Sequence, residues 1–176
     1  MVEILLTRPD ESMLPEIAAY RTAMLEAGSS LDGTSGLQNF EHAEDWLAHV
    51  RMLERPETCP PHLVTATLFV AMRPSDDRIV GMIDLRHCLN EFLAEYGGHI
   101  GYSVRPDERR KGYAKWMLAN VLPEAKNLGL ERVLVTCDDD NEGSRRTIEA
   151  NGGVFERTTY LASEEVTLRR YWIELT

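Results

Sequence analysis

Residues 104–118, VRPDERRKGYAKWML, concentrate basic side chains around a single glycine. Five of the chain's 19 lysines and arginines lie between Arg105 and Lys115, although the whole chain carries a net charge of −10. Gly112 lets a large anion approach the backbone closely, and the small Ala114 keeps the next turn uncrowded. The apolar stripe that follows predicts a helix, and the unpaired N–H groups of a helix's first turn bind phosphates. The segment therefore predicts a site for a phosphate-bearing ligand, with a solvated basic turn as the alternative.

Residues 138–149, DDDNEGSRRTIE, approach the spacing of a calcium-binding loop. The fit is imperfect, because Glu142 stands where such loops have Asp or Asn, and Arg145 stands where they have an apolar residue. The preceding RVLVTC is typical of a strand, whereas a calcium-binding hand needs a helix there. We therefore predict no metal site and interpret the run as a solvated strand end.

The elements that must position these segments follow from the apolar pattern. Seven strands and four helices are predicted, in the order β-α-α-β-β-β-α-β-α-β-β. The predicted strands are residues 3–7, 62–72, 78–87, 99–104, 132–137, 154–162 and 166–175, and the predicted helices lie within residues 14–28, 40–53, 114–128 and 142–153. Residues 89–98 stay open between a helical turn and a loop, and Pro123 lies inside the third helix, where it could kink it. With no internal repeat or long linker, residues 1–176 are expected to form a single domain.

Composition narrows the function classes. A net charge of −10 argues against nucleic-acid or anionic-membrane partners, because phosphate backbones attract positive surfaces, and it is compatible with a cationic amine. Cys59, Cys88 and Cys137 are odd in number and far apart, which argues against a disulfide framework or a cysteine metal site. No segment has the apolar length of a membrane span, and the first residues lack a basic lead and cleavage site. A cytoplasmic location is expected.

At the basic loop the chain resembles the GNAT superfamily of N-acetyltransferases. The family's pyrophosphate loop for acetyl-CoA reads Arg or Gln, two residues, Gly, one residue, then Gly or Ala, which falls here on Arg109, Gly112 and Ala114. The later segment NEGSRRTIEANGG also matches, so the resemblance is close over about residues 98–155 and extends elsewhere by element order. The segments GYSVRP and RRKGYA resemble especially the ribosomal-protein N-terminal acetyltransferases.

The resemblance implies a mixed α+β fold: a central, mostly antiparallel sheet of about seven strands, splayed between the fourth and fifth, and flanked by about four helices. It implies transfer of acetyl from acetyl-CoA, the co-substrate, to an amine by direct attack in a ternary complex, without an acyl-enzyme or a metal. The acceptor, a small molecule or a protein, is not identified by the sequence, and a homodimer stays open. The implied cofactor-binding residues are Ser103, Val104, Arg109, Arg110, Lys111, Gly112, Tyr113, Ala114, Asn141 and Ser144.

A base must remove a proton from the amine, whose pKa in a primary alkyl amine is near ~10.4, before it attacks. By the resemblance, the candidates near the amine site are His99 and Glu95, followed by Asp84 and His87. For each of them a plain surface hydrogen bond is the competing interpretation.

The chain departs from the family at the general acid. Many members have a tyrosine on the helix after Asn141 that protonates the departing thiolate, and the matching residue here is Ile148. The departure motivates a second hypothesis, a degenerate protein that binds acyl-CoA as a sensor or structural ligand without turnover. For Asn141 and Ser144 the competing role is capping of that helix.

Two further features have open roles. Tyr160, Tyr171 and Trp172 in the last two strands either pack in the core or line the acceptor pocket. Residues 28–36, rich in glycine and serine, are expected to pack little and to form a mobile lid over the acceptor side, or else a plain connector.

Overall fold

The computed structural model describes residues 2–176, which form seven strands and four α-helices in the predicted order. The strands are β1 (Leu5–Thr7), β2 (Ala66–Arg73), β3 (Arg78–Arg86), β4 (Ile100–Val104), β5 (Arg132–Asp138), β6 (Val154–Leu161) and β7 (Val166–Glu174). The helices are α1 (Leu14–Glu26), α2 (Ala43–Leu53), α3 (Tyr113–Asn127) and α4 (Glu142–Ala150). The open segment forms a short π-type turn at Leu93–Gly97. Of the described helices, none is long and apolar enough to cross a membrane.

The strands form two antiparallel sheets rather than one continuous sheet. The first has the order β1-β2-β3-β4, and the second has the order β5-β7-β6. They meet where β4 begins beside β5, since the N–H of His99 donates to the Leu134 carbonyl at 2.7 Å. The expected mixed fold, with splayed fourth and fifth strands, is confirmed.

Both faces of the first sheet are covered, which is why β3 is apolar along nearly its whole length. On one face α1 and α2 bury Tyr20 and Trp46 completely. On the other, α3 and α4 close a core that includes Met117 and Ile148. Pro123 does not interrupt α3, which continues to Asn127. The helices therefore hold the sheets rigidly on each side of the gap between β4 and β5.

The connection from α1 to α2 is an anchored wall, so the expectation that residues 28–36 pack little is wrong. Thr34 is fully buried, and its carbonyl accepts a hydrogen bond from the Trp46 indole at 2.7 Å. Gly33 lies directly on β4: a Cβ there would stand 2.4 Å from the Gly101 carbonyl oxygen. Sequence composition suggested few packing side chains, but here the backbone itself makes the contact.

This packing predicts different costs for two glycine substitutions in the same connection. Gly28 and Gly33 both have left-handed backbones, with φ of 62° and 72°, but no described atom lies within 4 Å of a Cβ at Gly28. Gly28→Ala should therefore cost only the left-handed strain, about 1 kcal/mol. Gly33→Ala adds a clash with β4 and should cost clearly more. Denaturant unfolding measures both, and equal costs would show that the loop does not press on β4.

Candidate active site

A cleft of about 980 Å³ opens where β4 and β5 separate. Its walls come from the α1–α2 connection, the turn before β4, β4 itself, the start of α3, the end of β5 and the start of α4. Of the residues expected at the cofactor, the lining includes Ser103, Val104, Arg109, Arg110, Gly112, Tyr113, Ala114, Asn141 and Ser144. The fold thus brings together segments that are distant in the sequence.

His99 sits at the point where the strands part. Its Nδ1 accepts the backbone N–H of Leu134 at 2.9 Å, a donor that would be bonded to a backbone carbonyl in a continuous sheet. The side chain is nearly buried, and this burial, with the nearby Arg86, lowers the pKa of His99 to about 4. The ring is therefore neutral at pH 7 and links the segment before β4 to β5. It lies beneath the cleft rather than in its lining.

Glu95 also lies outside the lining. Its carboxylate accepts two hydrogen bonds from Arg157, at 2.9 and 2.8 Å, and one from Thr159 at 2.6 Å. The Arg157 contact, followed by Thr159, lowers the pKa of Glu95 to about 2, which makes it a weak proton acceptor. Its place in the structure is that of an anchor between the turn before β4 and the strand β6.

The two reserve candidates for the base differ in position. The His87 ring is hydrogen-bonded to the Thr67 hydroxyl at 2.8 Å and lies away from the cleft. Asp84 lines the cleft, is only 4% exposed, and accepts the N–H of Gly101 through Oδ1 at 3.1 Å. Its Oδ2 lies 3.8 Å from the Arg86 guanidinium. Of the four sequence candidates, Asp84 is the one that lines the cleft.

Several basic side chains of the loop are bound to other groups of the protein. Arg105 pairs with Glu16 at 2.6 Å, and the Lys111 ammonium donates to Glu108 at 2.8 Å. Arg109 donates to the Val104 carbonyl and to the Ser29 hydroxyl, which ties the loop to the α1–α2 connection. Lys111 accordingly lies outside the cleft lining. The expected cluster of free cations is reduced to Arg110, Lys115 and, in part, Arg109, which line the cleft.

Glu108 is the residue that sequence reasoning missed in this loop. It is 3% exposed and accepts from Arg73 at 2.9 Å and from Lys111, with Arg78 at 3.4 Å. Arg73 above all, then Lys111, lowers the pKa of Glu108 to about 2 against the cost of its burial. The carboxylate fastens the loop to the β2–β3 hairpin. The acidic pair Asp107 and Glu108 inside a basic run was the available signal.

The first turn of α3 presents uncapped backbone donors. Within residues 2–176, the N-cap position Gly112 receives no side-chain cap, and its φ of 84° turns the chain sharply into the helix. Arg110, with φ of 61°, is also left-handed. No described atom lies within 4 Å of a Cβ at Gly112, so the space above these N–H groups is open to a ligand. This arrangement fits a phosphate group.

The first turn of α4 faces this loop across the cleft. Asn141 caps the helix by accepting the Ser144 N–H at 3.1 Å, the role that had been the competing interpretation. The Ser144 hydroxyl lies 2.5 Å from the hydroxyl of Tyr102, a β4 residue that also lines the cleft. Ile148, one turn further along α4, is fully buried in the core. The β4 alternation of Ile100, Tyr102 and Val104 was the signal for Tyr102.

The remaining wall of the cleft is acidic. Four lining residues carry carboxylates apart from the basic loop: Asp32, Asp84, Asp138 and Glu164. Burial, followed by the charges of Asp32, Asp140 and Glu164, raises the pKa of Asp138. A negative potential of this kind attracts a cation into the cleft.

The remaining sequence candidates lie elsewhere. Tyr171 is fully buried in the core and Tyr160 is exposed on β6; neither they nor Trp172 line the cleft. Strand β5 runs directly into the acidic segment, where a calcium-binding hand would have a helix. Among residues 2–176, no group of three or more His, Cys, Asp or Glu side chains is placed to hold a metal ion.

Comparison with known proteins identifies a family for this chain. The family model described as acetyltransferase (GNAT) domain matches residues 4–154. No curated protein matches the chain by sequence.

Solved structures share the fold at low identity. A ribosomal-protein-S5-alanine acetyltransferase from Vibrio fischeri has a TM-score of 0.72 at 19% identity, covering 98% of this chain and 93% of that one. RimL, a ribosomal-protein acetyltransferase in complex with coenzyme A, has a TM-score of 0.71 at 17% identity, covering 99% of this chain and 97% of that one. The putative acetyltransferase yncA from Salmonella typhimurium, with its cofactor acetyl-CoA, has a TM-score of 0.66 at 13% identity, covering 98% of this chain and 94% of that one.

The His99 contact predicts a pH dependence of stability. In the unfolded chain the His99 imidazole takes up a proton near its ordinary pKa of 6.5. In the folded protein it stays neutral until the pH falls to its lowered pKa of about 4. Stability contributed by neutral His99 is therefore complete above pH 6.5 and lost as the pH falls toward 4, by on the order of 3 kcal/mol. His99→Asn should remove this part of the slope in denaturant unfolding across that range. His62→Asn, at an exposed histidine, is the control; the same slope in both variants would exclude His99 as its source.

Proposed function

The chain belongs to the GNAT family of acetyltransferases, and we propose that it transfers the acetyl group of acetyl-CoA to a primary amine by direct attack in a ternary complex. Residues 1–176 then act as one domain, because the cleft draws its walls from both sheets. The observation that carries the proposal is the uncapped first turn of α3 at the mouth of a cleft between splayed strands. The free cysteines Cys59, Cys88 and Cys137 support a reducing, cytoplasmic location.

The cofactor's pyrophosphate is assigned to the N–H groups from Arg110 to Ala114, with the Arg110 guanidinium beside them. Its arm would run in the gap beyond His99, where β4 has β3 on one edge and the cleft on the other. Along that free edge, every second residue directs both its N–H and its C=O away from β3. The backbone near Ser103 and Val104 can thus hold the arm and polarise the thioester carbonyl. Backbone donors suit the developing oxyanion because they are fixed before the reaction.

The acceptor is assigned to the acidic side of the cleft. Carboxylates there attract the ammonium form of an amine, which must lose a proton before it can attack. We assign that proton transfer to Asp84, directly or through a water molecule, because it lines the cleft. Buried His99 and arginine-bound Glu95 hold the walls in place instead.

A second candidate function rests on Ile148, which is buried in the core at the position of the family's tyrosine. A protein without turnover would bind acetyl-CoA as a sensor. Thiol release from acetyl-CoA, measured with a polyamine, a lysine derivative and a peptide with a free N-terminus, separates the two. Turnover with any of them supports the enzyme, whereas binding without turnover supports the sensor.

The assigned phosphate site predicts a loss of acetyl-CoA affinity in Gly112→Asp. The new carboxylate would stand over the α3 donors and repel the phosphates, weakening binding on the order of 100-fold, about 3 kcal/mol. Gly129→Asp is the matched control, since Gly129 follows the other end of α3, is also left-handed, and has no described atom within 4 Å of its Cβ position. Calorimetry measures the affinity of each folded variant for acetyl-CoA. Equal affinities in the two variants would show that the pyrophosphate does not bind at this loop.

The acidic wall predicts a selective effect on the amine. The double variant Asp32→Asn, Glu164→Gln should raise KM for the amine about 10-fold, because the cleft loses two attracting charges. The dissociation constant for acetyl-CoA should not rise. Glu165→Gln removes a neighbouring carboxylate outside the lining and should change neither quantity. A parallel loss of affinity for both substrates would mean that the charges act on the fold rather than on the amine.

A further inference from the structure

Amine attack on a thioester ends with a sulfur that carries a negative charge until it gains a proton. Helix α4 does not supply that proton at position 148, because Ile148 is aliphatic and fully buried. A donor on another element must reach the same place if the thiol is to leave in its neutral form.

Tyr102 reaches this place from the opposite wall. Its side chain lines the cleft from β4, and its hydroxyl lies 2.5 Å from the Ser144 hydroxyl and 3.4 Å from the Ser144 carbonyl oxygen. Ser144 and Ile148 are four residues apart and therefore share one face of α4. The phenol thus spans the gap between β4 and α4 and ends on the face of the helix to which Ile148 belongs.

We infer that Tyr102 is the general acid of the acetyl transfer, donating its phenolic proton to the departing sulfur across the gap between β4 and α4. This inference rests on the proposed function. As the amine nitrogen bonds to the carbonyl carbon, the carbon–sulfur bond breaks and its electron pair passes to sulfur, which takes the proton of Tyr102. The proton released by the amine nitrogen restores the phenol through water, so the products are the amide and the free thiol.

Ser144 fits the role of a positioning residue. Its hydroxyl can donate to the phenolic oxygen, which stabilises the phenolate during transfer. The place of Ser144 in the first turn of α4, where the helix dipole is positive, acts in the same direction. Within residues 2–176, the Tyr102 proton then has only the long contact to the Ser144 carbonyl, at 3.4 Å, to hold it back from the departing sulfur.

The surroundings change the pKa of both the donor and the acceptor. Burial chiefly, with nearby Cys137 and Asp32, raises the pKa of Tyr102 well above its usual range, so the phenol stays protonated at neutral pH. Burial likewise raises the pKa of the Cys137 thiol, which also lines the cleft, to about 11. A thiolate leaving beside Cys137 meets the same apolar surroundings and becomes more basic than in water, where its pKa is near ~8.5. The burial that makes the phenol a weaker acid therefore also makes the departing sulfur a stronger proton acceptor.

The test compares Tyr102→Phe with Tyr160→Phe, which removes a hydroxyl on the exposed strand β6. With the best amine of the panel above, Tyr102→Phe should lower kcat about 100-fold while calorimetry shows unchanged affinity for acetyl-CoA. Tyr160→Phe should match the wild type in both. An unchanged kcat in Tyr102→Phe overturns the inference, and so does a loss confined to acetyl-CoA affinity.

A second readout separates acid catalysis from packing. Replacing Tyr102 by 3,5-difluorotyrosine keeps the ring and hydroxyl but lowers the phenol's pKa, so kcat should gain a falling limb at a lower pH than in the wild type. A kcat–pH profile that does not move would overturn the inference even if Tyr102→Phe were slow. A wild type that binds acetyl-CoA but acetylates no amine defeats the proposed function, and the inference with it. Turnover that is indifferent to Tyr102 defeats the inference alone.

Discussion

The hydrogen bond between the His99 ring and the Leu134 N–H lies at the point where the two sheets part. At this position a side chain takes the donor that a strand carbonyl would otherwise accept, and β4 leaves β5 one residue later. The bond needs an unprotonated Nδ1, which burial secures. Every wall of the cleft described above depends on this separation, including the free edge of β4 and the facing first turns of α3 and α4. A histidine at the start of a central strand is thus structural here because of what it replaces.

The cleft that results is electrically divided. At the α3 end, backbone N–H groups add partial positive charges to the side chains of Arg109, Arg110 and Lys115, which line the cleft, while Glu108 takes up Lys111. At the other end, carboxylates from three separate elements gather around Asp138. The cleft therefore offers positive backbone groups to an anion at the first turn of α3 and carboxylates to a cation around Asp138. Fixed dipoles at the phosphate end also avoid the entropy cost of ordering long side chains.

The sequence predicted what local pattern determines. Apolar periodicity located all seven strands and four helices, and the glycine between basic residues located the α3 loop. It failed where side-chain pairing decides. Lys111 is taken by Glu108, whose burial against Arg73, 35 residues away, no local pattern reports, and Glu95 is bound by Arg157, 62 residues away. The connection at Gly33 was misjudged because its contact with β4 is made by backbone, which composition does not report. Asp84 was ranked below His99 and Glu95 as a candidate base, because its place beside the cleft follows from the register of β3 on β4, which the sequence does not give.

The position of Ile148 explains why a proton donor belongs on β4. Its side chain packs so closely against the turn into β6 that a Cβ on Gly153 would stand 2.4 Å from its Cγ2. A tyrosine there would have to displace this join or turn into the space that the Tyr102 ring already fills beside Ser144. The aliphatic side chain on α4 and the phenol on β4 therefore fit together, because each occupies space that a tyrosine at position 148 would need. The phenol keeps a hydroxyl at the helix face, while the isoleucine closes the core behind it.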